Sequence, residues 1–323
     1  MVTDKIKKIG VLTSGGDSPG MNATIRAIVR TALKNNLEVY GIYDGYKGLV
    51  EGRFVKLEHK DVADMLEKGG TFLGTARLVE FKDVEVRKIA ISNLHKYGID
   101  ALVCIGGDGT YTGALKLSEM GVPCIGVPGT IDNDISSTEY TIGFDTCLNT
   151  IVEAIDKLRD TCSSHHRCSV VEVMGRYCPD LAIRAAICCG AEVLITKPED
   201  YNPEELIQSL NQAAKDGKKF AIVVVAEHTI DVNQIAKLLD TNTPFETRAT
   251  VLGHIQRGGR PTAFDRVLGS RLGAYAVQLL LEDKTGVCVG VKGETLINMD
   301  IVEANKLPKK LSKELRQQAE DLK

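Results

Sequence analysis

Nearly every long apolar run in this chain of 323 residues stops at a glycine or a charged side chain and gives way to a segment with helical spacing. Lys8-Ile-Gly-Val-Leu-Thr13 runs into Ser14-Gly15-Gly16-Asp17, and Ile25, Val29, Ala32 and Leu33 then recur at helical intervals. Ala101–Ile105 runs into Gly106-Gly-Asp-Gly-Thr110 and a helix to about Met120. The same succession follows at Pro123–Val127, Ser169–Met174, Glu192–Thr196, Phe220–Ala226 and Arg248–Gly253. Strands that are apolar throughout, rather than at alternate positions, are buried on both faces. Alternating with helices, they specify an α/β protein with largely parallel sheets in three layers. The strand–glycine–helix pattern of Ile9–Val29 recurs at Val170–Ile187, which indicates two domains of similar build.

Smaller elements follow from local signals. Ser18 and Pro19 read as the cap and first position of the first helix. Asp44-Gly-Tyr-Lys-Gly48 reads as a loop and Asp61–Glu67 as a short helix. Helices are expected over Asp83–Tyr97, Phe144–Asp160, Asp180–Cys189, Pro203–Lys215, Val232–Leu239 and Asp265–Leu281. In the tail, Leu311, Leu315, Ala319 and Leu322 form a stripe on a last helix.

Ligands of such folds bind beyond the carboxyl ends of the strands. Gly16, Asp108, Asp132, Met174, Glu227 and His254 all lie just past strand ends, each from a different strand. Glycine loops at 15–16, 69–74 and 106–109 let backbone approach a polyphosphate, although no Gly-x-x-x-x-Gly-Lys-Ser/Thr loop occurs. Asp108, among glycines at a helix start, suits Mg²⁺ carried in by a nucleotide. Asp132 and Asp134 are spaced i and i+2, so an extended chain would put them on one face, with Asn133 on the other. Two such carboxylates suit general-base work or Mg²⁺ handling, but taken alone Asp-Asn-Asp fits a solvated turn better.

Arg77, Arg167, Arg176, Arg248 and Arg257 sit near glycines or strand ends, where each alone reads as a surface charge and together they suit phosphate contacts. Arg26 and Arg30 are like charges one turn apart, either a solvated face or a second anion site. His165-His166, between Cys162 and Cys168, matches no common zinc spacing. A net charge of −3 gives no sign of nucleic-acid or membrane binding. The nine cysteines fall mostly inside apolar runs, as buried reduced thiols do, and the chain reads as cytoplasmic.

Thr13-Ser-Gly-Gly-Asp-Ser-Pro-Gly-Met-Asn22, Gly106-Gly-Asp-Gly-Thr110, Pro128-Gly-Thr-Ile-Asp-Asn-Asp134, Met174-Gly-Arg176 and Gly253-His-Ile-Gln-Arg-Gly-Gly259 together resemble the bacterial ATP-dependent 6-phosphofructokinase family, over essentially the whole chain. The resemblance implies two Rossmann-like domains. Residues 1–142 with 256–305 would bind ATP, and 143–255 with 306–323 would bind fructose 6-phosphate. It implies transfer of a phosphoryl group from MgATP to the sugar 1-hydroxyl, the committed step of glycolysis. Asp132 would be the base, Thr130 and Asp134 would position acceptor or metal, and Arg77 would neutralise the moving group. Gly16, Gly107, Asp108, Gly109 and Thr110 would line the nucleotide, with Mg²⁺ at Asp108. Met174, Gly175, Arg176, Glu227, His254 and Arg257 would hold the sugar phosphate. Arg167 and Arg248 would reach the 6-phosphate bound by a neighbouring subunit, which implies a homotetramer with shared sites. Arg26, Arg30, Arg159, Glu192 and Lys218 would bind the effectors ADP and phosphoenolpyruvate.

Pyrophosphate-dependent relatives carry Asp where Gly109 stands and Lys where Gly129 stands, so the glycines here imply ATP as donor. His59 and Asp216 replace basic residues of the effector site, and an acid at 216 repels anions, so altered effector control is expected. Pro179 stands where glycine is common. Two other readings fit parts of the pattern. Gly-Gly-Asp-Gly-Thr also occurs in NAD kinases and diacylglycerol-type lipid kinases, which lack the other motifs. A non-catalytic sensor would bind without turnover.

Overall fold

The computed structural model describes residues 6–308 and 313–322. Its elements, in chain order, begin with β1 Lys8–Ser14, α1 Met21–Lys34, β2 Glu38–Ile42, α2 Gly45–Glu51, β3 Phe54–Leu57, α3 Val84–Tyr97, β4 Ala101–Gly106, α4 Asp108–Glu119 and β5 Cys124–Pro128. Next come α5 Phe144–His165, β6 Arg167–Val173, α6 Asp180–Cys189, β7 Val193–Ile195, α7 Pro203–Lys215, β8 Ala221–Ala226, α8 Val232–Asn242 and β9 Glu246–Val251. The chain ends with α9 Ala263–Leu281, β10 Val287–Lys292, β11 Thr295–Asp300, α10 Ile301–Lys306 and α11 Lys313–Asp321.

These elements form two compact units. One runs up to Ile131 and takes in Ile135–Thr146 and the described chain from Arg257 onward to 308. The other takes in Asp132–Asp134, Cys147–Gln256 and residues 313–322.

The first unit holds a seven-stranded sheet in the order β11-β10-β5-β4-β1-β2-β3. Its five central strands are parallel; β3 and β11 run antiparallel at the two edges. Alternate side chains of each strand serve opposite faces. Ile9, Val11, Val103, Ile105 and Val127 pack with Ile25, Ile28 and Val29 of α1 and with Leu272 and Val277 of α9. Leu12, Leu102, Cys104 and Cys124 pack with Ala90 and Leu94 of α3 and Ala114 and Leu117 of α4. Both faces are covered, which is why these strands carry unbroken apolar runs.

The second unit holds a four-stranded sheet, β7-β8-β6-β9, parallel throughout. Val170, Val223 and Val225 meet Leu206 and Leu210 of α7 and Ile235 and Leu239 of α8. The two sheets are thus the largely parallel, helix-covered layers that the sequence pattern specifies.

Several local expectations are corrected. The first helix starts at Met21, behind Gly20 at φ 108°, so Ser18 and Pro19 belong to the turn before it. Residues 45–51 are helical, because Tyr46 is buried and stacked on Phe81, with ring centroids 4.3 Å apart. Tertiary packing outweighs the two glycines there. The expected helix at 61–67 is a short 3₁₀ turn, His59–Val62. The edge strands β3 and β11 carry too little apolar pattern to be read, and β10, an inner strand with four buried residues, is not among the expected strands. In the tail, α11 packs on α6 through buried Ala319 and half-buried Leu315. Leu322 points outward, 65% exposed, and Leu311 lies outside the described residues.

Candidate active site

In the first unit β1 and β4 are neighbours that end level, Ser14 opposite Gly106. A Cβ on Gly106 would strike the Ser14 carbonyl and the Thr110 hydroxyl, so the two turns approach this closely only because glycine stands there. Thr110 is buried, and its hydroxyl donates to the Ser14 carbonyl oxygen at 3.0 Å. Its carbonyl accepts from the Tyr46 hydroxyl at 2.6 Å. Thr110 therefore fastens the frame, and the start of α4 presents exposed Asp108 and Gly109 beside half-buried Gly107.

The loop at 69–77 is tied to the same strand end by neutral polar groups. Thr13 Oγ1 donates to the Gly74 carbonyl at 2.8 Å, and Thr75 Oγ1 to the Gly15 carbonyl at 2.7 Å. Asn22, buried at the start of α1, accepts from the Phe72 N–H and donates to the carbonyls of Lys68 and Gly69. Arg77, at the loop's end, is exposed and makes no ion pair among the described residues. The Arg257 guanidinium lies against Gly16, where a Cβ would collide with it. Thr130 follows β5 and accepts from the Thr141 hydroxyl at 2.6 Å through its carbonyl.

The two glycines expected to govern donor choice sit in opposite surroundings. A Cβ on Gly109 meets nothing within 4 Å, so any side chain there would project into open space at the helix start. A Cβ on Gly129 would lie 2.8 Å from Ile105 Cγ2 and 3.0 Å from Met21 Cε. Gly129 is thus a packing position, and a lysine there would need its neighbours rebuilt.

In the second unit the Asp132–Asp134 stretch is not extended. Asn133 has φ 51°, the left-handed region that asparagine tolerates, so the i, i+2 argument for a shared face does not apply. Asn133 is buried and donates through its amide to Asp180 Oδ2 at 3.0 Å. Asp132 is buried, and Asp134 lies 3.8 Å from the Arg176 guanidinium. Pro179 stands just before α6, a place where its missing N–H costs nothing.

Beyond β6, Met174, Gly175 and Arg176 are held by their backbone. Glu227 Oε1 accepts from the N–H of Gly175 at 3.1 Å and of Arg176 at 2.6 Å. Gly175 has φ 142° and Arg176 φ 58°, so the loop turns sharply around that carboxylate. Gln256, fully buried, accepts from the Met174 N–H at 3.0 Å and donates to the Gly253 carbonyl. His254 is exposed. Arg167 and Arg248 meet at one acid: Arg167 Nε donates to Glu246 Oε2 at 2.9 Å, and Arg248 Nη2 to Oε1 at 2.6 Å. The hydrogen bond from Arg167 helps hold the Glu246 carboxyl below the usual carboxylate range.

The expected effector residues divide between the units. Arg26 and Arg30 of α1 pair with no carboxylate among the described residues. Partial burial and the neighbouring Arg30 lower the Arg26 pKa. In the second unit Lys218 meets Glu192 at 2.9 Å, and Glu192 also accepts from the Ile222 N–H at 2.6 Å. Arg159 lies 3.8 Å from Asp156, and Asp216 accepts from Gln212 at the end of α7. His59 is exposed.

Among the described residues no group of three or more His, Cys, Asp or Glu side chains could hold a metal by itself. Asp108 offers one exposed carboxylate between two glycines with open space above them. That fits a magnesium ion whose other ligands are phosphate oxygens and water.

Thr13, Asn22, Glu246 and Gln256 are structural parts of these ends that sequence reasoning misses. Thr13, Asn22 and Gln256 lie inside quoted motifs, which is the only signal for them.

A profile of the family described as Phosphofructokinase matches residues 8–280. An ATP-dependent 6-phosphofructokinase of Vibrio campbellii is 58% identical over 318 residues, covering 98% of this chain and 99% of the relative. That of Vibrio parahaemolyticus is 60% identical over 299 residues, 93% of each chain. Among solved structures, the phosphofructokinase of Saccharomyces cerevisiae superposes with a TM-score of 0.87 at 37% identity over 93% of this chain, which spans 45% of that longer chain. A profile match over most of the residues, together with these identities at nearly full length, places the chain in the phosphofructokinase family.

Proposed function

We propose that the chain transfers the terminal phosphoryl group of ATP to the 1-hydroxyl of fructose 6-phosphate, giving ADP and fructose 1,6-bisphosphate. The observation that carries this reading is the near-full-length likeness to enzymes named for ATP-dependent 6-phosphofructokinase activity, across a stretch containing every expected site residue. Such a transfer needs little covalent chemistry from the protein and depends on positioning and charge.

The first unit is the nucleotide side. Gly16 and the turn at Gly107–Gly109 let the phosphates approach backbone, and Arg77 neutralises the group in transit. Thr110 acts through the frame it fastens. Asp108 would hold Mg²⁺, which when bound offsets charge on the phosphate oxygens. The second unit is the sugar side. Asp132 takes the proton of the 1-hydroxyl, while Asp134 and, from the end of β5, Thr130 orient the acceptor. Met174, Gly175, Arg176, Glu227 and His254 grip the sugar phosphate, with Arg257. Arg167 and Arg248 serve the 6-phosphate of a neighbouring copy, which makes the working form an oligomer, and the family resemblance points to a homotetramer.

ADP and phosphoenolpyruvate bind at Arg26, Arg30, Arg159, Glu192 and Lys218. The carboxylate of Asp216 and the missing cation at His59 weaken that control.

The test is a coupled assay for fructose 1,6-bisphosphate. Wild type is expected to turn over with ATP and not with pyrophosphate, and Asp132→Ser to lose about 10²–10⁴-fold in kcat. An inactive wild type, or near-normal turnover by the variant, rejects the reading. The same assay with phosphoenolpyruvate present is expected to show shallow inhibition; strong, complete inhibition rejects the effector part alone.

A further inference from the structure

β9 is the edge strand of the second unit's sheet, and Arg167 stands directly opposite Glu246 in its register with β6. Arg248 follows two residues along β9, so the strand period puts it on the same face as Glu246. The order across this face is cation, acid, cation. Each carboxylate oxygen takes a different guanidinium, at 2.9 and 2.6 Å. All three side chains are a third or more exposed, so the unit's core does not depend on them. Without the acid, two arginines this close would repel each other and spread.

We propose that Glu246 is a positioning residue that holds Arg167 and Arg248 together as a two-pronged clamp for a phosphate monoester. This rests on the reading that these two arginines take the 6-phosphate of the sugar. A guanidinium has five N–H donors. Glu246 engages one from each arginine, and Arg248 offers another to the Thr247 carbonyl at 3.3 Å. Most of the donors therefore remain for a phosphate, and the trio keeps one net positive charge. Long side chains already fixed in place lose less freedom when an anion binds.

The test compares wild type, Arg248→Ala, Glu246→Ala and Glu246→Gln in steady-state kinetics, with inorganic phosphate as a competing probe. Glu246→Ala is expected to raise the KM for fructose 6-phosphate about tenfold, in line with loss of charge-assisted hydrogen bonds. Its kcat should stay within about twofold and its KM for ATP should not change. Inhibition by inorganic phosphate should weaken in parallel. Glu246→Gln keeps one acceptor oxygen and is expected to lose only about threefold. The proposal is overturned if Glu246→Ala leaves the KM unchanged or lowers it while Arg248→Ala raises it. A lowered KM would make the acid a competitor of the phosphate. It is equally overturned if the loss follows a fall in thermal midpoint or dissociation of the oligomer seen by sedimentation. If Arg248→Ala itself keeps the wild-type KM, the assignment of the arginines fails, an outcome separate from the role of Glu246.

Discussion

In the first unit Thr13, Asn22, Thr75 and Thr110 use neutral hydroxyl and amide groups to fasten the strand-end loops, leaving Gly107 and Gly109 at the surface. In the second unit the corresponding end is held mainly by charged side chains, with the amide of Gln256 beside them. Glu227 holds the turn at Gly175 and Arg176, and Glu246 holds Arg167 and Arg248. A surface of backbone recognises whatever phosphate reaches it but tolerates no added side chain. A surface of charges recognises one anion in one place and fails when a single charge or its support is changed. On the proposed assignment of the first unit to the nucleotide and the second to the sugar phosphate this is a sensible division, because the polyphosphate is common to many reactions and the sugar phosphate is what distinguishes this one.

The comparison breaks most easily at Gly109. Gly109→Asp adds a carboxylate in open space at the start of α4, where the proposed nucleotide phosphates pass. Its kcat/KM for ATP is expected to fall about 100-fold through like-charge repulsion, with the KM for fructose 6-phosphate within about twofold of wild type. Steady-state kinetics with each substrate varied check this, and an unchanged ATP response would show that the open space is not the nucleotide path.

The mirror-image lesion is Gln256→Leu, which leaves the half-buried N–H of Met174 without its acceptor. About 1–3 kcal/mol of stability should be lost, read by urea unfolding, and the KM for the sugar phosphate should rise about fivefold while that for ATP holds. If the two KM values move together, the two ends are not independent in the way their construction suggests.

The smallest effect on catalysis concerns a charged exception within the first unit. Asp265 is buried in α9 and accepts from Gly143 N–H, Thr146 N–H and the Thr146 hydroxyl, which fixes the start of α5. Burial pushes its pKa up to about 6 in spite of those hydrogen bonds. A carboxyl with a raised folded-state pKa binds its proton more tightly when folded, so stability from this group falls as pH rises from about 4 to about 6 and is level above that. Relative to Asp265→Asn, wild type should lose up to about 3 kcal/mol across that window. Unfolding midpoints of both proteins at several pH values measure it; parallel curves would mean the group titrates normally. Neither KM should change.

Much of the fold was legible because the parallel strands are buried on both faces and announce themselves as unbroken apolar runs. The bounds of α6 and α7 agree residue for residue, each helix beginning at an acid or proline and ending before a break. What escaped was decided by contacts across the chain. Helix α2 depends on a buried tyrosine that touches residues far away in sequence. The antiparallel edges β3 and β11 are only half buried, so their pattern is faint. The site shows the same limit. Residues that bear charge at strand ends, Glu227 among them, could be named from their positions, but their other supports could not. Gln256 and Glu246 matter through partners 82 and 79 residues away. The left-handed turn at Asn133 defeated an argument that assumed an extended chain.

The tight seat of Gly129 bears on how the two donor specificities in this family could interconvert. Asp at 109 meets no steric obstacle, since the space is open, and its cost is the charge it brings. Lys at 129 cannot follow in one step, because it would meet the stiff β-branched Ile105 as well as the more pliable Met21. A smaller residue at 105, or a displaced strand end, must come first, and that change brings no advantage of its own. On the expectation that positions 109 and 129 set the donor, the change at 129 therefore depends on room being made at Ile105 first.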